Sequence, residues 1–86
     1  MKSINGDYRY VIVRSGIGED SQGRRKIVIS PVEGQPFPTS LRVECSQRLI
    51  EDYPLGTRFK IKAQLTDMMG TAFLYSYFGW PFEIVV

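Results

Sequence analysis

Arg58-Phe59-Lys60-Ile61-Lys62-Ala63-Gln64-Leu65-Thr66 decides how this chain is read. Apolar and polar residues alternate through all nine positions, the period of a half-buried β-strand. Phe59, Ile61, Ala63 and Leu65 share one face, and Arg58, Lys60, Lys62, Gln64 and Thr66 share the other. Alternate side chains stand about 6 to 7 Å apart, so three cations form a straight row along the outside of a sheet.

Downstream, Ala72-Phe73-Leu74-Tyr75-Ser76-Tyr77-Phe78-Gly79-Trp80-Pro81-Phe82 holds six of the chain's eleven aromatic residues. Asp67-Met68-Met69-Gly70 joins the two runs and reads as a hairpin turn, with glycine available for a left-handed position. The next strand is expected over 71–78, until Gly79-Trp80-Pro81 breaks it, and a last strand over 82–86. The pairing register across this hairpin selects the rings that flank the lysines: either Phe73, Tyr75 and Tyr77, or Leu74, Ser76 and Phe78. A slip of one residue exchanges the two faces. Tyrosines suit a surface better than leucine does, which favours the first set outside.

Upstream, Tyr8-Arg9-Tyr10-Val11-Ile12-Val13-Arg14 is rich in β-branched and aromatic residues and reads as a central strand buried on both sides. Residues 15–23 have the composition of a loop, a mobile hairpin tip, and the spacing Gly16-x-Gly18-x4-Gly23 fits no phosphate-binding fingerprint. Residues 25–30 form a second strand stopped by Pro31, and the proline-rich connector after it allows neither helix nor ladder. Leu41, Val43 and Cys45 alternate with Arg42 and Glu44 as a third strand. Ser46 to Tyr53 reads as a short helix, with Ser46 as cap and Pro54 as stop; a competing reading extends it back to Ser40. Pro54-Leu55-Gly56-Thr57 is a tight turn into the alternating strand.

This order predicts a mostly β fold: one domain over residues 1–86, built as a small five- to six-stranded antiparallel barrel, OB-like or SH3-like, with one short helix after strand three. Eighty-six residues with 43% hydrophobic and 23% charged content suit a single core. Because so small a domain needs most of its large apolar side chains inside, each ring is a core candidate before it is a binding candidate.

Charge and chemistry narrow the function classes. Eleven Lys and Arg against nine Asp and Glu give a net charge of only +2, so any polyanion surface must come from local arrangement. Histidine is absent and Cys45 is the single cysteine, which rules out an internal disulfide and argues against structural zinc or any other metal site. Glu19-Asp20 and Glu51-Asp52 are adjacent pairs whose side chains diverge, so they read as solvated charges, and Cys45 as a buried structural thiol. The expectation is a protein with no catalytic residues and no cofactor. The first seven residues lack the apolar segment of a signal sequence and no window approaches a membrane span, so a cytoplasmic protein without a membrane partner is expected.

Two binding functions remain. Arg58, Lys60 and Lys62 beside Tyr75 and Tyr77 would suit single-stranded nucleic acid, phosphates on the cations and bases on the rings. Alternatively, Met68, Met69, Tyr75, Tyr77 and Trp80 would suit docking on a larger protein, as an inhibitor or adaptor of the kind a phage or other mobile element encodes. A lysine row also keeps an edge strand soluble and unpaired with no partner at all.

Overall fold

The computed structural model describes residues 8–20, 22–68 and 70–85. Six strands, β1 (Arg9–Glu19), β2 (Arg25–Pro31), β3 (Val43–Glu44), β4 (Arg58–Met68), β5 (Thr71–Tyr75) and β6 (Glu83–Val85), and one helical turn, α1 (Arg48–Glu51), follow in chain order. The sheet order is β2-β1-β4-β5-β3, with β6 also paired to β4. Coiled round on itself, the sheet makes a nearly closed barrel whose ends, β2 and β3, flank the remaining gap. The fold is mostly β, with its short helix after strand three, as the element order predicts. No helix among the described residues is long and apolar enough to cross a membrane.

One pairing departs from an all-antiparallel barrel. β3 runs parallel to β5, Val43 opposite Leu74 and Glu44 opposite Tyr75. Parallel neighbours need a long crossover, and here α1 and the whole of β4 intervene.

The core follows the alternation of the opening stretch. Phe59, Ile61 and Ala63 are buried together with Val11, Val13, Ile29, Leu74 and the helical Leu49. Tyr53, Phe59 and Phe82 meet edge to face in a closed trio, with ring centres 5.2, 5.7 and 5.8 Å apart. Phe82 therefore belongs to the core and leaves the exposed aromatic set. Leu65 is only partly buried, while Thr66, on the polar face of the strand, is buried.

Several elements differ from their expected form. β1 is central, but its burial is one-sided: Val11 and Val13 are buried, while Tyr10 on the opposite face is 66% exposed and Tyr8, just before the strand, 48%. β1 also continues through Gly16 and Gly18 to Glu19, where a loop was expected. A Cβ on Gly18 would lie 2.9 Å from both methyls of Val28 on the neighbouring strand, so the missing side chain is what lets β2 approach. The hairpin tip is correspondingly short, and Asp20 organises it. The Asp20 carboxylate accepts from the backbone N–H of Arg24 and of Gln22, each at 2.9 Å, and these bonds hold its pKa below the ordinary carboxylate value.

The third strand shrinks to two residues and the helix to four. The N-cap position falls on Gln47, which makes no side-chain cap bond. Ser46, the expected cap, precedes it and its Oγ accepts from the N–H of Arg48 at 3.2 Å, and the helix does not reach back to Ser40. β2 ends at Pro31, and the next residue, Val32, still donates its N–H to Ile12 C=O at 3.1 Å. Gln35 completes the pairing: its carboxamide accepts from Ile12 N–H and donates to Ile12 C=O, both at 2.8 Å. Val86 lies outside the described residues, so the last strand is seen over Glu83–Val85.

Candidate nucleic-acid interface

Met68 pairs with Thr71, so the β4–β5 hairpin closes on residues 69 and 70, with Gly70 at φ +81°. That loop length sets the register. Gln64 lies opposite Tyr75 and Thr66 opposite Phe73, which places Phe73 and Tyr75 on the face of the lysine row. Phe73 is nonetheless buried, as is Thr66 opposite it, and the Arg42 guanidinium lies 4.5 Å from its ring centre.

β5 then leaves the ladder. Tyr75 faces Gln64 and Glu83 faces Lys60, so seven residues, Ser76 to Phe82, occupy a gap that β4 spans with three. The four surplus residues are thrown outward in a turn closed by Trp80 N–H donating to Tyr77 C=O at 3.0 Å. Gly79 sits inside it, and the Tyr77 ring occupies the space a Cβ there would need, with the nearest ring carbon at 2.5 Å. The strand expected over 71–78 is therefore five residues long, and the aromatics beyond it are on a protruding segment.

This excursion lays Trp80 across the barrel's outer face. Its ring centre is 4.7 Å from that of Tyr8, 5.8 Å from Tyr77 and 6.5 Å from Tyr75. Lys62 lies against the same group, Nζ 5.1 Å from the Tyr8 ring centre and 5.3 Å from that of Trp80. One row along, Lys60 Nζ is 5.0 Å from the Tyr10 ring. Tyr75 and Tyr77 are 37% and 43% exposed, and Phe78, at the tip of the excursion, 70%.

The pairings make the face a ladder of rows. Arg14 lies opposite Arg58, Ile12 opposite Lys60 and Tyr10 opposite Lys62. Among the described residues the ion pairs are Arg24–Asp20, Arg42–Glu44 and Arg48–Asp52, so Arg14, Arg58, Lys60 and Lys62 have no acidic partner within 4 Å. Glu83, opposite Lys60, is the one acid in these rows. From Arg58 to Gln64 the strand advances about 20 Å.

Of the residues singled out in the sequence, Arg58, Lys60, Lys62, Tyr75, Tyr77 and Trp80 thus lie on one face. Met69 and the side chain of Met68 lie outside the described residues. Tyr8, Tyr10 and Arg14 were missed, although the alternation of Tyr8 and Tyr10 against Val11 and Val13 carried the signal of a one-sided strand. Cys45 is half-buried and its thiol is pushed up to about 11 by burial, with Glu44 adding to the shift. Thiolate is then scarce at neutral pH. Comparison with protein-family models, curated proteins and solved structures returns no match.

Proposed function

We propose that this protein binds a single strand of nucleic acid along the outer face of β1, β4 and the excursion after β5. Phosphates lie on Arg58, Lys60 and Lys62, with Arg14 beside them, and bases rest against Tyr10, Tyr75, Tyr77 and Trp80. The observation that carries this reading is the packing of Trp80 against Tyr8, Tyr75 and Tyr77 directly beside Lys62. A track of about 20 Å holds about four nucleotides, the lower end of what one OB-type barrel covers. Each stacked base contributes about 1 to 3 kcal/mol, and each neutralised phosphate adds a salt-sensitive increment.

The test uses the chain's single tryptophan. Titration with a mixed-sequence single strand at low salt should quench Trp80 fluorescence to saturation, and Trp80→Ala should weaken binding by the value of one stacked base. A strand that neither quenches Trp80 nor changes its own anisotropy would dismiss the reading. A second reading, docking on a larger protein, is favoured by one observation: Phe78 protrudes at 70% exposure. In that case Phe78→Ser abolishes capture of the partner, while Lys60→Gln and Lys62→Gln leave it intact.

A further inference from the structure

The end of the basic row away from the rings has a composition of its own. Arg14 on β1 is the direct partner of Ser30 on β2 and of Arg58 on β4, so a hydroxyl and two guanidinium groups stand in one line across three strands. Neighbouring strands are about 4.8 Å apart, and like charges placed directly opposite repel. Sheets are normally relieved of such a pair by an acid between them. Here neither arginine has an acidic partner within 4 Å among the described residues.

Both arginines and Ser30 open into a cleft of about 390 Å³, which Thr39 and Glu33 also line. Glu33 leaves the formal charge of the lining at +1, so the cleft selects by its donors as well as by charge. Two guanidinium forks can each give paired N–H donors to a tetrahedral oxyanion, and the hydroxyl-bearing Ser30 and Thr39 line the same cleft.

We infer that this cleft binds a phosphate monoester, supplied by the terminal phosphate of the strand that lies on Lys60 and Lys62. An internal phosphodiester carries one negative charge, whereas a monoester carries nearly two above its second pKa near 6. Although Glu33 offsets one of the two arginine charges, the second charge of a monoester strengthens each hydrogen bond it accepts from the guanidinium groups. The source of the phosphate rests on the single-strand reading above; a small soluble phosphate monoester presents the same chemistry, and the experiment separates them.

The full chain is titrated at pH 7.5 with one oligonucleotide sequence in three forms: 5′-phosphorylated, 3′-phosphorylated and without terminal phosphate. Glycerol phosphate is titrated separately, following the arginine Nε–H resonances. One phosphorylated form should bind about tenfold more tightly than the bare strand, the value of one charge-assisted contact. The ratio should fall toward one below pH 6 and should vanish in Arg14→Gln. Thr39→Val, on an exposed side chain, should reduce the ratio without unfolding the protein. Equal affinity of all three forms overturns the inference and leaves strand binding in place. If no strand binds while glycerol phosphate shifts the Arg14 and Arg58 resonances, the cleft is a small-molecule phosphate site and the single-strand reading fails. If glycerol phosphate shifts neither resonance and phosphorylation has no effect, the cleft is not a phosphate site.

Discussion

Replacing Lys60 and Lys62 together by glutamine tests how phosphates sit on the barrel, because the rows predict a slope and not merely a loss. Four cations, Arg14, Arg58, Lys60 and Lys62, line the track without acidic partners among the described residues. Arg14 and Arg58 share one row, so the four cations meet three phosphates. Single strands release about 0.7 counterion per neutralised phosphate, which gives a slope of log K against log salt of about −2.1. Between 50 and 200 mM salt, affinity should fall about 18-fold. The double variant keeps one contact, a slope of about −0.7, and should lose about 2.6-fold over the same range.

Glutamine is the right substitute because it removes the charge while keeping most of a side chain beside the rings that each ammonium lies over: Lys60 Nζ over Tyr10, and Lys62 Nζ over Tyr8 and Trp80. Alanine would uncover them and mix a packing loss into the measurement. Fluorescence anisotropy of a labelled 12-nucleotide strand at four salt concentrations measures the slope, and thermal unfolding confirms that the variant is folded. If the double variant weakens binding but keeps the wild-type slope, the lysines act through the rings and the phosphates lie elsewhere. That result would refute the assignment of the row.

Two further outcomes follow from the fold. Gly18→Ala should destabilise the protein by about 1 to 3 kcal/mol in urea unfolding, since its Cβ meets Val28 at 2.9 Å, and Val28→Ala should recover much of the loss. Gly16→Ala, with no atom within 4 Å of the new Cβ, should change stability by less than about 0.5 kcal/mol. The Cys45 thiol, raised to about 11 by burial, should resist alkylation at pH 8 in the native protein and react readily in denaturant. The unfolded chain gives up this proton first, so the stability that the neutral thiol contributes is complete below about pH 8.5 and declines as pH rises toward 11. Cys45→Ser should flatten that decline in unfolding measured between pH 8 and 11.

What could be read from the sequence was local. The strand at Arg58 to Thr66 declares itself because its period of two runs unbroken, and Gly70 marks the turn that follows. The barrel's element order could be reached from these signals and the proline stops. The rest depended on distant partners. Gly16 and Gly18 look like a loop until Val28 is placed across from them. The aromatic run looks uniform, yet its rings divide three ways: Phe82 joins Phe59 and Tyr53 in the core, Phe73 lies under Arg42, and Trp80 moves out to Tyr8. Only the seven-against-three mismatch with β4 separates them, and that mismatch is a property of pairing that composition does not reveal. The same holds for Arg14, which lines up with Ser30 and Arg58 only once β1 is paired on both sides.

The outward turn between Tyr75 and Glu83 is tied to β4 at both ends, opposite Gln64 and Lys60, while its interior makes no ladder with that strand. Anchors and interior can therefore diverge at different rates. A descendant of this gene could exchange Tyr77 to Pro81 for a longer, shorter or differently coloured segment and inherit the same barrel. The scaffold would be heritable independently of the outward segment, and a designer could use those two anchor points to graft a new segment in a single cut.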